Sequence, residues 1–135
     1  MKLPTIAIAA LTLIAASPDT GFDAIWQEHG AALEAQGVTR PMAHQAFIWT
    51  EGQYHLGICL PYISESDLAH WRLWWRNTPL ESSDYGRAML RAGNANYYEG
   101  VADGRRGGLT RQQCQRLLDN WQTDMKNAVS VEVKP

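Results

Sequence analysis

The sequence predicts an all-α fold, a small single-domain bundle of about five helices closed by one disulfide. Three observations predict it. Apolar residues recur at about 3.6-residue spacing in separate stretches, helix caps and breakers punctuate those stretches, and no long polar linker intervenes. Two cysteines, Cys59 and Cys114, lie far apart in a chain of 135 residues. That length suits one domain, since single domains typically run to about 100–150 residues.

The first segment stands outside this fold. Met1-Lys2 supplies a positive start, and Leu3–Ala16, LPTIAIAALTLIAA, carries no charge. The run matches the h-region of a secretory signal peptide, about 7–15 residues, and falls short of the roughly 20 needed to span a bilayer. Ala15, Ala16 and Ser17 are small. Cleavage is placed after Ala16, because a cut after Ser17 would set Pro18 directly beyond the scissile bond. Residues 1–16 are therefore read as a signal peptide and 17–135 as the helical domain, with its ordered core over about 20–127. Export to a bacterial periplasm is the expectation, with full secretion the alternative. No stable membrane insertion is expected after cleavage. With Lys2 removed, the formal charge falls from −2 to −3. Such a balance offers no large phosphate-binding surface, so no nucleic acid partner is expected.

Export gives the cysteines their meaning. In an oxidising compartment two cysteines pair in one way only, and the pair lacks the C-x-x-C spacing of redox or metal sites. Closing a loop of 55 residues between Cys59 and Cys114 is worth ~4 kcal/mol in the chain-entropy model. The bridge is read as structural.

The elements follow in order. Thr20-Gly-Phe-Asp23 has capping-box spacing, and Phe22, Ile25, Trp26, His29 and Leu33 share one helical face, with Gly37 as the terminating residue. A second helix starts at Pro41 with the stripe Ala43, Ala46, Phe47, Thr50, Tyr54 and Ile58, and Pro61 ends or kinks it. Tyr54–Ile63 also fits a strand, and that alternative stays open. Ser64 or Ser66 caps a third helix, with Asp67 in its first turn, and Asn77-Thr78-Pro79 terminates it. A fourth runs from Ser82 or Ser83 to about Asp103, where Gly104-Arg-Arg-Gly-Gly108 stops it. Thr110-Arg-Gln-Gln113 is a capping box for the fifth, whose stripe is Cys114, Leu117, Leu118, Trp121 and Met125. The tail after Ala128 is expected to fray.

No catalytic constellation is legible. His29, His44, His55 and His70 form no H-x-x-x-H or H-E-x-x-H pattern. Asp67 and His70 fit a solvated helix face, and His29 a core histidine, so no metal and no cofactor are expected. There is no G-x-S-x-G elbow, P-loop or dinucleotide fingerprint. Glu51, Glu65, Glu81 and Glu99 qualify as glycosidase carboxylates by type alone. The Gly104–Gly108 loop could hold an anion at the next helix N-terminus, but a flexible connection explains it more simply.

Two features rise above this background. In Ala69-His-Trp-Arg-Leu-Trp-Trp-Arg76, Leu68, Trp71 and Trp75 make a core stripe at about 100° per residue, with Trp74 on its flank and Leu73 nearly opposite. Arg72 and Arg76 pair at i,i+4. Trp and Arg are enriched at interface hot spots, so Leu73, Trp74, Arg72 and Arg76 are the first candidate binding residues. In the fourth helix Gly86, Gly93 and Gly100 share a face at a cost of about 0.5–1 kcal/mol each, which close approach of another helix backbone explains. The apolar stripes Tyr85, Ala88, Met89, Ala92 and Leu90, Tyr97, Val101 make this helix the expected centre of the bundle. Arg87, Arg91 and Tyr98 then share its exposed face and complete the candidate interface.

Cys59-Leu-Pro-Tyr-Ile63 resembles the C-x-x-Y-I segment of small helical periplasmic immunity proteins that block type VI amidase toxins. The likeness spans these residues alone, and no residue role is taken from it. The expected function is protein binding by an exported helical domain, as an inhibitor, immunity or accessory factor for another exported or envelope protein. The alternatives are a small secreted hydrolase of cell-wall polymer, with tryptophans stacking on sugars, and a carrier of a small ligand.

Overall fold

The computed structural model describes residues 18–133, with side-chain placement over 21–128. The signal-peptide reading of residues 1–16 lies outside the described residues. Those described form five α-helices and no strand: α1 Pro18–Ala35, α2 Arg40–Ile58, α3 Glu65–Arg72, α4 Asp84–Arg105 and α5 Arg111–Val133. Single 3₁₀ turns at Leu60–Tyr62 and Pro79–Ser82 join them. The open choice over Tyr54–Ile63 resolves to helix followed by a 3₁₀ turn.

Local chemistry sets most boundaries. α1 ends in a Schellman arrangement, with the Val38 N–H on the Leu33 carbonyl at 3.0 Å and the Gly37 N–H on the Glu34 carbonyl at 3.0 Å. Gly37 takes φ +84°, where a side chain would be strained, and Val38 and Leu33 bury against each other's turn. Thr39, Ser64 and Ser83 cap α2, α3 and α4, accepting from the backbone N–H of Met42, Asp67 and Gly86. At α5 the capping box is reciprocal: Gln113 N–H donates to Thr110 Oγ1 at 3.2 Å, and Thr110 N–H to Gln113 Oε1 at 2.9 Å. Two expectations shift. Pro18 is already helical, so Thr20 lies within the first turn of α1 rather than capping it. α5 continues past Ala128 to Val133 instead of fraying there.

The centre of the bundle is α2, not α4. Ala43, Ala46–Thr50, Gly52, Gln53 and Leu56–Ile58 are all buried, a helix enclosed on every side. Thr50 is accommodated inside by donating its Oγ1 to the Ala46 carbonyl at 2.9 Å, and Gln53 Oε1 accepts from Arg72, while the Gln53 Nε2 has no partner. α4 lies along α2, with Tyr85, Ala88 and Met89 buried, while Leu90 of its second stripe is 36% exposed.

The glycine face of α4 does what its spacing suggests. A Cβ on Gly100 would stand 2.3 Å from the Tyr54 carbonyl oxygen, and one on Gly57 2.1 Å from that of Tyr97, so the backbones of α2 and α4 touch. A Cβ on Gly93 would enter the Trp49 ring, and one on Gly86 would meet the Leu80 carbonyl. On the other side of α2, the Trp121 ring of α5 lies against Gly52, and its Nε1 donates to the Ile48 carbonyl at 3.0 Å. The Cys59–Cys114 disulfide is present and buried, with its Cα atoms 5.6 Å apart, and fastens the end of α2 to the start of α5.

Candidate functional site

The tryptophan-rich stretch is not one long helix. α3 ends at Arg72, and Leu73 leaves helical geometry at φ −110°, ψ 14°. Turns follow, with the Arg76 N–H on the Leu73 carbonyl and Asn77 at φ 69°. Arg72 and Arg76 therefore do not pair at i,i+4. A tertiary bond coincides with the break: the indole N–H of buried Trp49 donates to the Trp71 carbonyl at 2.6 Å. That carbonyl is the acceptor that the N–H of residue 75 would need to extend the helix.

From Arg72 onward the chain forms a strap running back along α4. Its first anchor is Arg72, half-buried, whose guanidinium donates to Gln53 Oε1 at 2.8 Å and to Asn94 Oδ1 at 3.1 Å. The same guanidinium lies over the Tyr97 ring, 4.0 Å from its centre. The second anchor is Trp75, buried and 4.2 Å centre to centre from Trp49, whose ring covers Gly93. The third is the Leu80 carbonyl against Gly86. The strap thus passes Tyr97, Asn94, Gly93 and Gly86 in reverse order.

This path decides where the sequence-predicted residues stand. Leu73 is 45% exposed, Arg76 is exposed, and Trp74 turns inward, half-buried against the main core. On α4, Arg87, Arg91 and Tyr98 are exposed, Tyr98 at 65%. Arg87 pairs with Asp84 and donates to the Ser82 carbonyl at 2.9 Å. Leu73 and Arg76 are thus exposed side chains of the strap that runs along α4, and Arg87, Leu90, Arg91 and Tyr98 are exposed side chains of α4. Trp74 and Arg72 are not freely presented side chains: one packs inward, and the other is clamped. Gln53, Asn94 and Tyr97, which hold that clamp, were missed by sequence reasoning. Gln53 is fully buried, but α2 also carries Gln45, Glu51 and two histidines, so nothing in the sequence singled it out.

The remaining polar groups lie elsewhere. The Tyr54 hydroxyl donates to the Asp103 carboxylate at 2.6 Å, and Arg106 pairs with the same carboxylate. The hydrogen bond from Tyr54 holds the Asp103 carboxyl below its usual range, and the same bond raises the Tyr54 hydroxyl. Burial lowers His55, whose Nδ1 has no hydrogen-bond partner. Asp67 and His70 are exposed on α3, and among the described residues no group of three or more metal-ligating side chains gathers. Nor is any described helix long and apolar enough to cross a membrane.

The tryptophans mostly face one another. The Trp49 and Trp75 rings lie tilted against each other, Trp71 lies 4.9 Å from Trp121, and Trp26, Trp71 and Trp74 pack against the main core. Comparison with protein-family models, curated proteins and solved structures finds no match to this chain.

Proposed function

We propose that this protein is exported to the periplasm and acts by binding another exported or envelope protein, as an inhibitor, immunity factor or accessory subunit. The observation that carries the reading is the composite surface of strap and α4. Leu73 and Tyr98, at 45% and 65% exposure, and the exposed Arg76, Arg87 and Arg91 are carried by these two segments. Large apolar and aromatic groups beside arginines are the residue types that dominate binding energy at interfaces. The strap is held at three points, so the surface is pre-organised and loses little conformational entropy on association.

The test is co-capture. The full chain, expressed from its own leader with a C-terminal tag, is crosslinked in the native envelope and recovered beside a Leu73→Asp/Tyr98→Ala variant. A specific partner is expected with the natural chain and lost with the variant, while thermal unfolding of the two stays alike. No partner from folded, oxidised protein would overturn the binding reading. A partner retained in full by the variant would remove the interface from this surface.

A further inference from the structure

We infer that the strap–α4 surface receives an acidic protein segment, with the Arg72 guanidinium as the fixed seat for a partner carboxylate. The inference rests on the binding reading above and adds the chemistry of the partner. Arg72 is half-buried, yet the groups that hold it, the Gln53 and Asn94 amide oxygens and the Tyr97 ring, are all neutral. No carboxylate neutralises it among the described residues. A guanidinium carries five N–H donors, and these two bonds leave three of them for a ligand.

A cation taken partly out of water without a counter-charge is costly, and a carboxylate arriving at its open edge removes that cost. The clamp also fixes the planar fork before binding, so the side-chain ordering that normally opposes such a pair is already complete. Further arginines lie on the same two segments. Arg76 and Arg91 are exposed and without an ionic partner among the described residues, whereas the chain as a whole is acidic at −2. Of the acidic residues nearby, Asp84 is engaged by Arg87 and Glu81 of the strap accepts from the Asn77 N–H, while Glu99 beside Tyr98 is exposed. Leu73 and Tyr98 supply apolar contact on either side of the clamp, which favours a protein segment over a free anion.

The probe is a synthetic peptide with glutamates and leucines at helical spacing, compared with its copy carrying Gln for every Glu. Binding to the oxidised protein is followed by NMR, reading the Arg72 Nε–H and the Tyr98 ring. The acidic peptide is expected to shift both signals, and its Gln copy to bind at least about tenfold more weakly. Arg91→Glu, at an exposed position, is expected to weaken the acidic peptide by about tenfold without altering thermal unfolding. Arg72→Lys keeps the charge and loses the fork, so it is expected to lose most of the binding, read on the Tyr98 ring. Equal binding of the two peptides, or binding that leaves Arg72 unshifted, would overturn the inference. So would association with phosphatidylglycerol vesicles but with neither peptide, because the surface would then serve a membrane.

The binding reading fails separately. A co-captured partner that is retained at about 0.5 M salt and by Arg91→Glu would sink the acidic chemistry and leave the interface standing. Peptide binding with no co-captured partner would do the reverse.

Discussion

The close backbone contact between α2 and α4 gives a sharp stability test. At the α2–α4 crossing, a Cβ on Gly57 would lie 2.1 Å from the Tyr97 oxygen and 2.8 Å from the Val101 nitrogen. A Cβ on Gly100 would lie 2.3 Å from the Tyr54 oxygen and 2.8 Å from the Ile58 nitrogen. Ordinary contact begins near 3.4 Å, so either alanine must push the helices apart by about 1 Å. Backbone cannot rotate out of the way as a side chain can. Overpacking of this kind costs about 1–3 kcal/mol, and the gain from alanine's helix propensity returns only about 0.5–1 kcal/mol. Each single substitution is therefore expected to destabilise by about 1–2 kcal/mol, roughly 4–8 °C in Tm if 1 kcal/mol moves it about 4 °C. The double Gly57→Ala/Gly100→Ala variant is expected to cost clearly less than the sum, because one separation of the helices accommodates both methyls. Urea unfolding of the oxidised protein, with unchanged m-values, measures all three. Stabilisation by Gly100→Ala, as at an exposed helical glycine, would refute the close crossing. Strict additivity would refute its being one shared contact.

Other perturbations probe the remaining links. Replacing Cys59 and Cys114 together by alanine is expected to lower unfolding stability by up to ~4 kcal/mol, measured by denaturant titration against the oxidised chain. Arg72→Met leaves the buried Gln53 Oε1 without a donor, beside an Nε2 that already has no partner, and is expected to cost about 1–3 kcal/mol. Adding Gln53→Leu should recover part of that cost, and a cycle with no coupling would remove the clamp from the account. His55 is lowered by burial, so its unfolded form binds a proton more readily than its folded form. Its contribution is full above the ordinary histidine value of 6.5 and declines as pH falls from there to the lowered folded value. His55→Leu should flatten that part of the stability profile, and an unchanged profile would exclude the residue as its source. Finally, the mass of the exported protein is expected to begin at Ser17, and a chain retaining Lys2 would contradict the leader reading.

What could be read in advance follows from how local each determinant is. Gly37, Ser83 and the Thr110–Gln113 box act within one turn of chain, and each ends or starts a helix as the sequence implies. The cysteine pairing was legible because two cysteines allow one connectivity. Gly86, Gly93 and Gly100 announced a close approach, but not what approaches. Gly93 meets an indole, Gly86 the strap, and Gly100 a helix backbone whose own glycine, Gly57, drew no notice. The centrality of α2 was hidden for a related reason. Thr50 fell on its predicted stripe, but Gln53 reads as a polar surface residue, and the Arg72 that meets it inside comes from a distant segment.

The tryptophan stretch shows local and tertiary preferences in conflict, and the candidate site lies at that conflict. By periodicity alone, residues 68–76 continue a helix that would spread Leu73, Trp74 and Arg76 around its circumference. The Trp49 N–H instead takes the Trp71 carbonyl from within the core. A buried indole donor must find an acceptor, and one left unmade costs more than the last turn of a short exposed helix returns. α3 buries none of its residues completely, so little packing opposes the break. Once the helix ends at Arg72, the guanidinium can reach across to Gln53 and Asn94, and Trp75 can fall onto Trp49. The same event turns Trp74 inward and leaves Leu73 and Arg76 outward beside α4. Sequence periodicity therefore located the right segment while assigning its side chains by the wrong geometry. The arginine it placed on a solvent-facing helix is the one the fold immobilises, and that immobility is what suits Arg72 to recognise a partner rather than merely to solvate a surface.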